Sequence, residues 1–129
     1  MRNVQGLVAW VTGAGTGIGE ATALMLAAAG VKVALSGRRE ALLSDVATRI
    51  SAAGGTAMVV PLDVTDRAGV TAAAAEITAE LGQIDILFNN HGLNVQDRDW
   101  AGSAVDGWDD VIDVNVKGVY NCTAAVLPA

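Results

Sequence analysis

Leu7-Val8-Ala9-Trp10-Val11-Thr12-Gly13-Ala14-Gly15-Thr16-Gly17-Ile18-Gly19 is the stretch that decides the fold. Its first five residues form a continuous apolar run, the pattern of a strand buried on both faces. Glycines then permit a tight turn, after which Ile18, Ala21, Met25 and Ala29 recur at helical spacing until Gly30 stops the helix. A strand that enters a helix through glycines gathers backbone N–H groups and the positive helix end at one point, which suits a phosphate. The spacing is G-x-x-x-G-x-G, from Gly13, Gly17 and Gly19; the common G-x-G-x-x-G, begun at Gly13, would need glycine at Ile18. No Gly-Lys-Ser/Thr ending follows, so this is not a nucleoside triphosphate loop. A turn that merely lets helix and strand pack closely is the competing reading, and its place at the head of a βαβ unit counts against it.

The same alternation continues outward. Residues 31–36 read as a second strand, and Leu42, Val46 and Ile50 mark an amphipathic helix ending near Gly54-Gly55. Residues 56–62 supply a third strand. Thr65 or Asp66 can cap the next helix, whose stripe is Val70, Ala73, Ala74, Ile77 and Leu81, and Gly82 ends it. Residues 84–88 are a fourth strand, bracketed by Asp85 and Asn89-Asn90. A polar loop over 93–102 precedes a long helix, traced by Val105, Trp108, Ile112, Val116 and Val119 towards Pro128. The order βαβαβαβα implies a parallel sheet. The expected class is therefore α/β: a Rossmann-type, doubly wound parallel sheet, truncated after its fourth β-α unit. Residues 1–129 would be the N-terminal part of a single dinucleotide-binding domain.

Composition agrees with a packed domain. Of 129 residues, 52% are hydrophobic and 17% charged, too apolar for a disordered chain, and with 4% aromatics the core must be built from small aliphatic side chains. A net charge of −6 without any Lys/Arg cluster excludes a nucleic-acid role. Cys122 is the single cysteine, so no internal disulfide forms, which fits a reducing compartment. The apolar run at 7–11 is too short for a signal peptide core or a membrane span, so the cytoplasm is the expected location, with no membrane partner.

Two further positions carry chemistry. Where the second strand ends, a carboxylate would accept hydrogen bonds from an NAD ribose; this chain has Gly37, Arg38 and Arg39 instead. Arg38 can pair with a 2′-phosphate in a forked geometry, which favours NADP and leaves NAD possible. Alternatively, both arginines are ordinary solvated charges at a helix start. Asp63-Val64 closes the third strand, where the carboxylate can meet an adenine amino group and Val64 its ring, or where Asp63 simply opens a turn.

Taken together, Thr12-Gly13-x-x-x-Gly17-Ile18-Gly19, Asp63-Val64, Asn89-Asn90-His91-Gly92 and Asn115-Val116-Lys117-Gly118 resemble the short-chain dehydrogenase/reductase family, in its order and spacing and across essentially the whole chain. The resemblance implies that Gly13, Thr16, Gly17 and Ile18 surround the cofactor diphosphate and that Gly19 allows close helix packing. Arg38 would select NADP, and Asp63 and Val64 would contact adenine. Asn89 would brace the sheet, while Asn90 and Gly92 would border the ribose and nicotinamide. It also implies that Asn115 takes a catalytic part, holding a water of the proton relay beside a local distortion of its helix. His91 departs from the family's usual alanine; it reads as a tolerated loop substitution, with proton transfer the lesser alternative.

The family's chemistry also needs a serine, a tyrosine and a lysine four residues after that tyrosine. Tyr120, the only tyrosine, is followed four residues on by Ala124, and Ser103 falls ahead of the family's serine strand. The expectation is a fragment that holds a cofactor, lacks those three groups and is inactive alone, with an exposed fourth-strand edge and an exposed apolar face on its last helix. The full protein would be an NAD(P)-dependent oxidoreductase acting on a small alcohol or ketone, as a homo-oligomer (dimer or tetramer). A non-catalytic NADP-binding module or sensor is the rival; a flavodoxin-like FMN binder leaves Asn89, Asn90 and Asn115 without a purpose. Substrate identity is not legible, although residues 93–103 would wall the pocket, with Trp100 a substrate contact or a surface or interface side chain.

Overall fold

The computed structural model describes residues 3–92 and 105–127, the side chains of 105–108 excepted. The loop carrying Trp100 and Ser103, and the side chains of Val105 and Trp108, thus lie outside the described residues. The elements are β1 (Val8–Thr12), α1 (Gly17–Ala28), β2 (Lys32–Ser36), α2 (Glu40–Ala52), β3 (Ala57–Val59), α3 (Arg67–Leu81), β4 (Ile86–Phe88), α4 (Val105–Ile112), a π-helical turn (Asp113–Lys117) and α5 (Gly118–Val126). All pairings are parallel, in the order β3-β2-β1-β4, the expected Rossmann-type sheet.

Why β1 is apolar throughout is now plain. Its side chains alternate between two cores. Val8 and Trp10 join Met58, α3 (Val70, Ala73, Ala74, Ile77) and Val114 and Cys122 on one face. Ala9 and Val11 join Leu35, α1 (Ala23, Ala27) and α2 (Leu43, Val46, Ile50) on the other. A strand with a covered face on each side has no position for a polar side chain unless a partner waits. Trp10 satisfies its indole by donating to the buried Ser36 hydroxyl at 2.8 Å.

β3 and β4 are shorter than expected. Past β3, Val60 and Leu62 still donate to Leu35 and Gly37, so the contact with β2 runs on, while Pro61 between them falls on the open-edge side of β3, where its missing N–H is not needed. Ahead of β4, the Asp85 carboxylate accepts the Val8 N–H at 2.9 Å, taking a place in the ladder that a backbone carbonyl would fill. Asp66, not Thr65, caps α3, accepting from the Gly69 N–H at 3.1 Å. Asp66→Ala should therefore cost about 1 kcal/mol in denaturant unfolding, with Thr65→Ala much nearer wild type at the helix start.

Two expected helix faces are corrected. Ile18 and Met25 of α1 are 71% and 75% exposed, and Ala21 and Ala29 are exposed with them; the buried line is Gly19, Ala23 and Ala27. Close approach of helix to sheet selects the smallest side chains, not the most apolar ones. The last helix is not one continuous run either. Its π-turn inserts a residue and shifts the packed line to Val114, Gly118, Asn121 and Cys122, so that Ile112 and Val116 face outward and Val119 is half-buried. Cys122 is wholly buried, and burial pushes its thiol up to about 11, which makes it a core residue rather than a nucleophile. Among the described residues no helix is long and apolar enough to cross a membrane, and no group of three or more His, Cys, Asp or Glu is placed to hold a metal.

Candidate functional site

β2 lies to one side of β1 and β4 to the other, so a crevice opens at their carboxyl ends, where α/β sheets commonly take ligands. A cleft of about 370 Å³ occupies it. The glycine turn contributes Thr12, Gly13, Gly15 and Thr16; the end of β2 contributes Ser36 to Arg39; Leu62 and Val64 follow from β3, and Asn90, His91 and Gly92 from β4. Val114 of the π-turn closes one side.

The turn is held by backbone contacts that admit no side chain. Gly13 has φ +61°, and a Cβ there would come within 2.8 Å of the Asn90 carbonyl. At Gly19 a Cβ would stand 2.0 Å from the Gly13 oxygen and 2.6 Å from Asn90 Nδ2. Gly19 is thus the floor beneath the turn rather than part of the cleft's lining. Thr16 sits at the N-cap of α1 but makes no side-chain cap bond, so its hydroxyl does not take up the first-turn N–H groups. Ile18 projects outward beside them.

Thr12 joins β1 to β4. Its hydroxyl oxygen accepts the backbone N–H of Asn90 at 3.0 Å and of His91 at 3.2 Å, and it lies 2.8 Å from His91 Nδ1. Asn90 in turn donates through Nδ2 to the Gly13 carbonyl at 3.2 Å. Asn90, with Thr12, therefore braces this end of the sheet. Asn89, expected to do so, instead reaches Thr123 of α5 at 3.4 Å.

Arg38 and Asp63, expected to contact different parts of a cofactor, meet each other at the rim, with Nη2 3.5 Å from Oδ1. Asp63 also accepts the Thr65 hydroxyl at 2.7 Å and the Thr65 N–H at 3.0 Å. These Thr65 bonds, and secondarily the Arg38 charge, hold the Asp63 carboxyl below its ordinary range, so it stays ionised at neutral pH. Arg39 lies at the N-cap of α2 and also lines the cleft. Val64 faces the cleft while Asn121 donates to its carbonyl at 3.0 Å and accepts from Arg67 Nε at 3.2 Å. Asn121 was not singled out from sequence; an amide on the packed line of α5 becomes visible only once the π-turn's extra residue is counted. Asn115 lies in that turn, its Oδ1 beside Gly92, 3.7 Å from where a Cβ would stand.

Of the expected cofactor contacts, then, Gly13, Thr16, Arg38, Val64, Asn90 and Gly92 line one cleft. Gly17 and Ile18 stand exposed at the start of α1, Gly19 lies beneath, and Asp63 is at the rim through its bond to Arg38.

Comparison with known proteins gives this arrangement a context. The family model described as short chain dehydrogenase matches residues 7–129. An uncharacterized oxidoreductase of Staphylococcus saprophyticus is 43% identical over 133 residues, covering 100% of this chain and 55% of its own length. A metagenomic short-chain oxidoreductase solved in complex with NADP superposes with a TM-score of 0.92 at 35% identity, over 98% of this chain and 57% of that one. A short chain dehydrogenase/reductase from Burkholderia phymatum, solved in complex with NAD, gives 0.92 at 34% identity, over 99% and 45%. The chain spans about half the length of the curated relatives it matches.

Proposed function

The chain belongs to the short chain dehydrogenase family, and from that premise we propose that it supplies the cofactor-binding part of an NAD(P)-dependent oxidoreductase acting on a small alcohol or ketone. The observation that carries the reading is the cradle at Gly13 and Gly19, where backbone packs on backbone so closely that no Cβ fits. Such closeness, with the uncapped first turn of α1, leaves N–H groups converging on one point at the positive end of a helix. A cofactor diphosphate fits that donor set. When bound, the nicotinamide supplies or accepts the hydride.

The chain's own residues then do the following. Gly13, Thr16, Gly17 and Ile18 hold the diphosphate, on the floor that Gly19 provides. Val64 offers an apolar wall to the adenine, with Asp63 beside it as acceptor. Arg38, with Arg39 alongside, takes the 2′-phosphate of NADP; to do so it turns from Asp63, an exposed pair whose loss costs little. NADP is therefore the preferred cofactor, with NAD admitted more weakly. Asn90 and Gly92 border the ribose and nicotinamide. Asn115 holds a water for proton transfer, its π-turn placing it beside Gly92. The assembly is a cytoplasmic homo-oligomer, a dimer or tetramer, with the Asn115 helix at an interface, to which it offers the exposed side chains of Ile112, Val116, Tyr120 and Leu127.

The test is hydride transfer. The full-length protein that carries this chain should oxidise NADPH with ketones drawn from a small panel, while the 129-residue chain alone should bind NADP without turnover. NADP binding by the full-length protein with no turnover on any alcohol or ketone would favour the non-catalytic module. Robust turnover by these residues alone would overturn the division of labour.

A further inference from the structure

His91 is the one histidine in the sequence, and the cofactor reading gives it no task. Its surroundings fix its chemistry. The Thr12 hydroxyl oxygen receives two backbone N–H groups, from Asn90 and His91, which occupy both lone pairs. One hydroxyl proton remains, with two acceptors in reach: the Phe88 carbonyl at 3.3 Å and His91 Nδ1 at 2.8 Å. The shorter contact takes it. Nδ1 is then an acceptor, and the neutral ring carries its proton on Nε2.

That second nitrogen lies against α5. Nε2 is buried and makes no hydrogen bond among the described residues. It rests over Gly118, where a Cβ would come within 2.9 Å of it and 2.6 Å of Val64 Cγ2, and the Val114 backbone of the π-turn is close enough to act on the ring's affinity for protons. The imidazole therefore reaches from the ends of β1 and β4 to the turn that carries Asn115.

We propose that His91 is a positioning residue: as the Nε2–H tautomer it bridges Thr12, by a hydrogen bond at Nδ1, to the end of the Asn115 π-turn, by packing against Gly118, and so fixes the width of the cleft between them. Its effect on cofactor affinity rests on the reading of the cleft as an NADP site; the bridge itself does not. A protonated ring would carry N–H at Nδ1, aimed at an oxygen whose lone pairs are both in use, so the Thr12 junction must give way. Burial likewise holds His91 below its ordinary 6.5, the Val114 backbone opposing in part. The charged groups on the elements packed around it are Asp63 with Arg38, Asp66, Arg67 on Asn121, and the Asp113–Lys117 pair at 3.1 Å. Burial is the leading cause of the depression, ahead of any of these charges. The sign follows: a histidine kept neutral by the fold stabilises it fully above about pH 6.5, and that contribution is lost as pH falls from there through the folded value.

The experiment is imidazole nitrogen NMR on the full-length protein labelled with ¹⁵N-histidine, with His91 assigned by subtraction of a His91→Ala spectrum. The wild type should show the Nε2–H tautomer and a midpoint below the ordinary value; Thr12→Ser should keep both and Thr12→Val should lose the tautomer preference. An Nδ1–H tautomer, or an ordinary midpoint, in the wild type overturns the proposal without any variant having to fold. NADP affinity supplies the functional arm. From pH 7.5 to 5 it should fall roughly five- to tenfold further in wild type than in His91→Ala, the scale of one lost hydrogen bond. Taking the difference cancels the cofactor phosphate's own titration. Parallel profiles would remove the positioning role, whereas no NADP binding at any pH would fault the cofactor reading and leave the tautomer result to judge the bridge.

Discussion

Gly19→Ala should weaken NADP binding by at least about a hundredfold, measured by calorimetry, while lowering thermal stability by several degrees. The added methyl would stand 2.0 Å from the Gly13 oxygen, 2.6 Å from Asn90 Nδ2 and 2.8 Å from the Gly13 carbonyl carbon. Two of those atoms are backbone, so nothing flexible can swing aside and the turn itself must open. Overpacking of this kind costs about 1–3 kcal/mol or more in stability. Binding suffers more, because an opened turn disperses the N–H groups that converge on the diphosphate, and each charge-assisted hydrogen bond contributes about 1.5–3 kcal/mol. Losing two exceeds a hundredfold. Gly17→Ala is the informative contrast: with φ +59° but nothing within 4 Å, it meets only backbone strain, about 1–2 kcal/mol. Comparable binding by Gly19→Ala and wild type would mean that the turn is a packing device and not a phosphate cradle.

Arg38→Asp should reverse the cofactor preference. The substitution removes the guanidinium that would meet the 2′-phosphate and puts a carboxylate in its place, next to Asp63, whose Oδ1 now lies 3.5 Å from the arginine. Two carboxylates at the rim repel a phosphate dianion, whereas the new one can accept hydrogen bonds from an unphosphorylated ribose. NADP should weaken relative to NAD by about 1–3 kcal/mol, roughly five- to 150-fold. Arg39 remains at the cleft and sets the lower end of that range. An unchanged ratio of the two affinities would sink the assignment of Arg38.

How much of this was legible in the sequence depends on the distance over which each feature acts. The parallel sheet was readable because β1's apolar run and the glycines after it are local and unambiguous. The α3 stripe was readable for the same reason, whereas its cap stayed open between Thr65 and Asp66 until the Gly69 contact decided it. Helix faces depart from the apolar pattern where size outweighs hydrophobicity. In α1 the eye follows Ile18 and Met25, yet the sheet accepts only Gly19, Ala23 and Ala27. In the last helix an extra residue in the π-turn breaks the period on which a helical stripe depends. The site divides likewise. Gly13, Arg38 and Val64 announce themselves by position after strands. The Thr12–His91 contact joins residues 79 apart in the chain, and no local pattern points to a threonine hydroxyl as the junction of two strands. The pairing of Arg38 with Asp63, too, is a matter of tertiary placement that no local pattern announces.

The central claim is that the carboxyl ends of β1, β2, β3 and β4 form one NADP site. The most direct measurement is titration of NADP into the ¹⁵N-labelled full-length protein, followed by amide chemical shifts. Saturable shifts are expected at Gly13, Thr16, Gly17 and Ile18, at Arg38, at Asp63 and Val64, and at Asn90 and Gly92, all fitting one dissociation constant. Shifts that never saturate, or that saturate elsewhere and leave the glycine turn unmoved, would contradict it.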